Sequence, residues 1–284
     1  MPLTKFLGLI PARYASTRFP GKPLADIAGK PMIQRVYEQV AGSLDAVVVA
    51  TDDERIFQAV QNFGGKAVMT SPNHRSGTDR CYEALTKTAG NFNVVINIQG
   101  DEPFIKPSQI ELLKTCFECD ETQIATLVKP FPEDVGFDVL FNPNTPKVLL
   151  NTKQEAIYFS RSVIPYIRGK HHSRWLKSFT FYKHIGIYAY KSGVLGEITA
   201  LPQSPLELAE SLEQLRWIEN GYTIKAAITN EETFGIDTPE DLERWLRAGD
   251  LKKNYKTLPP PSPPAPTKKA SQTPHLPKKV QFRQ

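Results

Sequence analysis

Ala46-Val47-Val48-Val49-Ala50-Thr51 is an unbroken apolar run followed at once by two acids, Asp52 and Asp53. A strand with no polar alternate position needs cover on both faces, which is the condition of a parallel sheet between helical layers. Phe6 to Ile10 and Val94 to Ile98 have the same character. Between these runs the pattern turns helical. Pro31-Met32-Ile33-Gln34-Arg35-Val36 opens a helix with proline in its first turn, and Glu54 to Phe63 ends on Gly64-Gly65. Lys66 to Met69 and Ile124 to Val128 add strands, while the stretch near Asp79 to Thr88 and that beginning at Pro107-Ser108 add helices. This βαβα order predicts an α/β fold: a mostly parallel, Rossmann-like sheet with helices on both faces, whose ligands sit beyond the carboxyl ends of the strands.

The middle of the chain changes period. Lys147 to Leu150, Ala156 to Phe159 and Tyr182 to Tyr190 read as strands separated by loops, which predicts an inserted, partly antiparallel subdomain. Helix returns over Leu206 to Asn220, closed by Gly221, then a strand at Thr223 to Ile228 and a last helix from Pro239. The expected parts are thus a nucleotide-binding α/β part over 1–130, a capping subdomain over 131–220, a return to the main body over 221–254 and a tail over 255–284. The tail carries Lys256, Lys268, Lys269, Lys278, Lys279 and Arg283 and no acid, so the chain's net charge of +5 comes from it and the remainder is nearly neutral. That distribution argues against nucleic acid as partner. Eight of the tail's 30 residues are proline, a composition that favours polyproline II and builds no core, and we read it as a disordered appendage.

Ile10-Pro11-Ala12-Arg13-Tyr14-Ala15-Ser16-Thr17-Arg18-Phe19-Pro20-Gly21-Lys22-Pro23 follows the first strand and carries three cations. Strand, cationic loop, helix is a phosphate-handling layout: guanidinium forks grip phosphate oxygens and a lysine adds a compact charge. A basic loop of this kind is, taken alone, more often a solvated surface. Gln99-Gly100-Asp101-Glu102-Pro103 follows another strand, where a carboxylate faces the ligand crevice and Gly100 lets the backbone come close. Phe234-Gly235-Ile236-Asp237-Thr238-Pro239 places a second acid in a turn before the last helix. Each acid alone reads as a turn or cap residue. Together, two carboxylates and substrate phosphates form the donor set of Mg²⁺.

The order of these words resembles the signature of the acidic-sugar cytidylyltransferases, and most closely the branch acting on 3-deoxy-manno-octulosonate (Kdo). The resemblance covers about residues 5–247. It implies a nucleotidyltransferase sheet, with the inserted subdomain serving sugar binding and dimerisation, and transfer of CMP from CTP to Kdo for lipopolysaccharide biosynthesis. It implies nucleotide contacts from Pro11, Ala12, Arg13, Arg18, Lys22, Gln99 and Asp101, and from Ser76, Gly77 and Arg80 in the word His74-Arg75-Ser76-Gly77-Thr78-Asp79-Arg80. Arg18, Lys22 and Asp101 carry the catalytic role, and Asp101 and Asp237 hold the metal. The words around Arg161, His184 and Tyr188, then Glu213 and Gln214, are assigned to the sugar. An acid sugar suits that set: a guanidinium for the carboxylate, and His, Tyr, Glu and Gln for hydroxyls.

The competing readings are a related enzyme with another acceptor, such as a sialic-acid-like keto sugar, an α/β glycosyltransferase, and an interaction protein built on the tail. The glycosyltransferase calls for an Asp-x-Asp pair that Gln99-Gly100-Asp101-Glu102 lacks. Cys81, Cys116 and Cys119 complete no disulfide framework, and Cys116-Phe117-Glu118-Cys119, without a second ligand pair, reads as ordinary thiols. The histidine pair His171-His172 receives no metal role. No apolar run of 18 residues and no secretory core follows Met1, so a cytoplasmic protein without a transmembrane segment is expected, and the resemblance implies a homodimer.

Overall fold

The computed structural model describes residues 4–231 and 235–254. The anticipated tail over 255–284 lies outside them. Its strands are β1 (Phe6–Ala12), β2 (Ala46–Thr51), β3 (Ala67–Met69), β4 (Val94–Asn97), β5 (Ile124–Pro130), β6 (Lys147–Leu150), β7 (Ala156–Ser160), β8 (Tyr182–Lys191) and β9 (Ile224–Ile228). They join one sheet in the order β3-β2-β1-β4-β8-β5-β9, with β6 paired to both β7 and β8. The β1–β2, β1–β4, β2–β3 and β5–β9 pairs are parallel. Antiparallel β8 lies between β4 and β5, so the expected insertion is knit into the main sheet by its longest strand. Met1–Leu246 form one unit, and the described part of the second, Arg247–Gln284, is the end of the last helix. Among the described residues no helix is long and apolar enough to cross a membrane.

Alternation along β1 explains the two layers. Phe6, Ile10 and Ala12 pack on one face with Ile33, Val36 and Val40 of α1 (Met32–Ala41), Ile56 and Val60 of α2 (Glu54–Asn62) and, farther along, Ile110 and Leu113 of a later helix over 107–115. Leu7 and Leu9 pack on the other, with Cys81 and Ala84 of α3 (Gly77–Lys87). The 107–115 helix is α4 (Pro107–Thr115). Each fully buried aliphatic side chain stabilises the fold by about 1.5–3 kcal/mol, so a strand with both faces buried holds two helical layers at once.

Two helices depart from the sequence reading. The expected helix over 206–220 is two, α7 (Pro205–Glu210) and α8 (Gln214–Glu219), separated by Ser211 at φ +50°. Arg161 causes the break: its Nε donates to the Glu210 carbonyl at 2.6 Å and its Nη2 to the Ser211 carbonyl at 3.1 Å, taking acceptors that a continuing helix would use. Between β8 and α7, α6 (Ser192–Thr199) forms despite Gly193 and Gly196, which sequence propensity disfavours; Val194, Leu195 and Ile198 are buried against the second layer. A short α5 (Phe137–Phe141) precedes β6, and α9 (Pro239–Asn254) is the last helix.

Lys147 is wholly buried in β6, where its Nζ donates to the carbonyls of Asn142, Thr145 and Arg161 at 2.9, 3.0 and 2.7 Å. Burial lowers its pKa. Lys147→Met leaves three inward carbonyls without that donor and is expected to lower the unfolding free energy by about 2–4 kcal/mol. Urea denaturation checks this, and a loss below about 0.5 kcal/mol would show that the lysine does not hold the loop.

Candidate functional site

The loop after β1 is braced before it reaches its lysine. Gly21 has φ +73°, donates its N–H to the Tyr14 carbonyl at 2.9 Å, and lies so near the Tyr14 ring that an added Cβ would stand 3.1 Å from it. Across the ring's other contacts, the Arg55 guanidinium stacks 3.3 Å from the centroid while bonding Asp53 at 3.0 and 2.6 Å. The start of α2 therefore steadies the turn that presents Lys22. Arg13 and Arg18 are exposed on the same loop.

Two distant acids meet that lysine. Gly100 lies against β1, where a Cβ would come 2.9 Å from the Pro11 carbonyl oxygen, so only glycine lets the loop after β4 approach so closely. The Ile236 N–H donates to the Asp101 carbonyl at 2.9 Å, tying the turn before α9 to this loop. Asp241 accepts from the N–H groups of Asp237 and Thr238, fixing the Asp237 backbone. Lys22 Nζ then lies 2.6 Å from Asp101 Oδ2 and 3.4 Å from Asp237 Oδ1, and Arg18 Nη1 is 3.1 Å from Asp237 Oδ2. Two carboxylates already surround one cation, which is the donor set a hard divalent ion takes together with phosphate oxygens. Among the described residues no group of three or more His, Cys, Asp or Glu side chains could hold a metal, so a cation here draws its other oxygens from a ligand. Burial beside Asp101 pushes Glu102 up to about 7.

The Ser76 loop approaches from the neighbouring strand ends. Ser76 caps α3 in a reciprocal pair with Asp79, and Gly77 packs on Pro11, where an added Cβ would lie 3.4 Å from the proline ring. Arg80 is buried and points back into the fold, donating to Thr70 at 2.6 Å and Asp52 at 3.0 Å, so it braces the ends of β2 and β3 beneath this loop. Thr78 donates to Glu213 at 2.7 Å, which joins the loop to the segment before α8. Pro11 and Ala12 close β1 beside it.

The remaining residues gather around β8. Its pairing with β5 jumps from Thr126↔Tyr188 to Leu127↔Ile185, a bulge that leaves Gly186 and Ile187 outside the ladder. Gln99, beside Asp101, donates to the Gly186 carbonyl at 3.1 Å, so the bulge and the acid loop are coupled. His184 and Tyr188 flank the bulge with ring centroids 5.1 Å apart, and Tyr188 meets Trp217 edge-on at 5.0 Å. Burial lowers the His184 pKa to about 3 and raises those of Tyr188 and Glu213. Tyr188 OH, Gln214 Nε2, Trp217 Nε1 and Asn97 Oδ1 are buried with no hydrogen-bond partner among the described residues. Buried polar atoms without a partner are rare in folded proteins. Arg161 is tied to the turn after α7 by the carbonyls of Glu210, Ser211 and Pro143. Three of a guanidinium's five N–H groups are engaged there, which leaves two for a carboxylate.

Sequence reasoning missed four contributors. Arg216 forms ion pairs with Glu207 and Glu213 at 3.1 and 3.0 Å and so orients a predicted sugar residue. Glu210 accepts from Ser160 Oγ and the Arg161 N–H. Arg55 and Thr126 act through Tyr14 and the bulge. Arg216 and Glu210 lie in the expected helix over 206–220, Arg55 in that over 54–63 and Thr126 in the expected strand over 124–128, so each read as part of an element and not as a site residue. Of the thiols, Cys81 and Cys116 are buried and Cys119 is exposed, all unpaired.

A sequence model of the cytidylyltransferase family matches residues 7–228. A 3-deoxy-manno-octulosonate cytidylyltransferase of Parabacteroides distasonis is 69% identical over 245 residues, covering 86% of this chain and 98% of that protein. One of Porphyromonas gingivalis is 57% identical over 243 residues, with 86% and 96% covered. A solved structure described as CMP:2-keto-3-deoxy-manno-octonic acid synthetase complexed with CTP superposes with a TM-score of 0.79 at 46% identity, covering 88% of this chain and 100% of its own.

His184 generates a pH prediction. Its pKa falls to about 3 in the fold against an ordinary value near 6.5. Between those values the unfolded chain binds a proton that the folded one does not, so stability falls on acidification through that window, by up to about 1.4 kcal/mol per pH unit. Glu102 acts oppositely, losing stability as pH rises from about 4.5 towards 7. His184→Gln is therefore expected to flatten the acid side of the stability profile in urea titrations at pH 4–7. An unchanged slope in that variant would mean His184 titrates normally.

Proposed function

The chain belongs to the 3-deoxy-manno-octulosonate cytidylyltransferase family, and we propose that its own reaction is CTP + Kdo → CMP-Kdo + pyrophosphate. The observation that carries this reading is the convergence of Asp101 and Asp237 on Lys22, at the mouth of a cationic loop. It is supported by the likeness to a solved synthetase described as complexed with CTP.

The reaction joins two anions. The anomeric hydroxyl of Kdo attacks the α-phosphorus of CTP in line, and pyrophosphate leaves with the bonding electron pair. Little covalent help is required of the protein; positioning and charge neutralisation carry most of the catalysis. Lys22 and Arg18 start on the carboxylates, triphosphate oxygens would compete for them, and Arg13 adds a third cation from the same loop. Ser76 and Gly77 present the start of α3 to the nucleotide, with Arg80 holding that start in place. On the sugar side, Arg161 offers its two remaining N–H groups to the carboxylate, while His184, Tyr188, Glu213 and Gln214 address hydroxyls. Asp101 and Asp237 fit Mg²⁺. Bound there, that ion would offset phosphate charge and acidify the attacking hydroxyl, for which no side chain is an evident base.

The product suits an outer-envelope lipopolysaccharide, and we place the enzyme in the cytoplasm as a homodimer. Pyrophosphate release from purified protein with Mg²⁺ and CTP is expected with Kdo and not with sialic acid or without sugar. Asp101→Asn is expected to lower turnover at least about 100-fold, and Lys22→Met to a similar degree, by removing transition-state charge stabilisation. Release with sialic acid alone would reassign the sugar pocket. Undiminished turnover in Asp101→Asn would overturn the role given to the carboxylates.

A further inference from the structure

Against the bulge in β8 lies a hydroxyl that the reaction scheme does not use. Thr126 of β5 is wholly buried, and its Oγ1 lies 2.7 Å from the Ile187 carbonyl, 3.3 Å from the Ile185 carbonyl and 3.0 Å from His184 Nε2. A threonine hydroxyl has one proton to give. The two carbonyls can only accept, and Ile187 offers the shorter contact, so the proton goes to the bulge. The third neighbour must then be a donor: His184 Nε2 carries a hydrogen and points it at Thr126. In a neutral imidazole the other nitrogen, Nδ1, is left as an acceptor.

We propose that Thr126 is a positioning residue that fixes His184 in its Nε2-protonated, neutral form, so that Nδ1 accepts a hydroxyl of the acid sugar and not its carboxylate. The proposal rests on the sugar pocket assigned above. A lone pair repels a carboxylate and attracts an O–H, so the tautomer sorts the two functional groups of the ligand between His184 and a guanidinium. Rings hold the imidazole in plane as well, since Phe159 meets it edge-on at 5.2 Å and Tyr188 lies on its other flank. One hydroxyl thereby serves two ends: it closes the ladder where the bulge interrupts it, and it sets which atom of His184 faces the ligand.

Two measurements test this. Nitrogen-15 NMR of the histidine-labelled wild-type protein at neutral pH, with His184 assigned by its absence in His184→Gln, is expected to show a protonated Nε2 and an unprotonated Nδ1. The opposite tautomer, or a mixture, overturns the proposal. In steady-state kinetics, Thr126→Val is expected to raise the KM for Kdo about tenfold, the scale of one lost hydrogen bond, with kcat and the KM for CTP changed less than about threefold. Thr126→Ser, which keeps the hydroxyl, is expected to restore the KM for Kdo. An unchanged KM for Kdo, or an equal rise for both substrates, overturns the proposal. If Thr126→Val does not fold, the wild-type spectrum still decides. Wild-type protein inert towards Kdo would overturn the sugar reading, while the spectrum would separately decide the link between Thr126 and His184.

Discussion

The ammonium of Lys22 holds Asp101 and Asp237 together although 136 residues separate the two acids along the chain. Two carboxylates side by side repel each other, and each is stable there because a cation lies between them. That contact closes the α/β unit by bringing the turn before α9 onto the strand ends of β1 and β4. It also stores the charges of the site in pairs. Arg18 and Lys22 neutralise the acids in the free protein, and in the proposed reaction they would become available to phosphates once the acids take another cation. The same four side chains would thus serve the fold in the free protein and charge neutralisation in the proposed reaction.

Everything else in the site is arranged so that flexible side chains start from rigid backbone. Lys22 is long, but the turn before it is set by Gly21, Tyr14 and Arg55. Asp101 follows a glycine pressed against the Pro11 carbonyl, and Asp237 precedes a capped helix. Misplacement of a reacting group by an ångström is costly in a reaction that depends on alignment. The charged atoms of this site are thus carried on backbone that is fixed at their roots.

Much of this was legible because the responsible signals are local. Unbroken apolar runs announced β1, β2 and β4, and the cationic loop and both acids stood in recognisable words next to them. What stayed hidden depends on pairings between distant segments. The helix over 206–220 has acceptable propensity throughout, yet it breaks at Ser211 because Arg161, 50 residues earlier, takes its carbonyls. The formation of α6 against its two glycines is decided by burial of Val194, Leu195 and Ile198, a tertiary effect that overrides propensity. Thr126 reads as an ordinary strand residue. Its importance appears only in the register of β5 against β8, which neither segment specifies by itself.

That register has a consequence for how the two substrate sides communicate. The bulge takes Gly186 and Ile187 out of the pairing between β5 and β8. With it, the Gly186 carbonyl turns to Gln99 beside Asp101, and the Ile187 carbonyl turns to Thr126 beside His184. One irregularity therefore touches both the loop that carries Asp101 and the Thr126 hydroxyl beside His184, through two hydrogen bonds. A second link runs from Ser76's helix through Thr78 to Glu213. These joints tie the Asp101 loop, the Ser76 loop and the Glu213 segment to one another, and the proposed in-line attack would draw on that alignment.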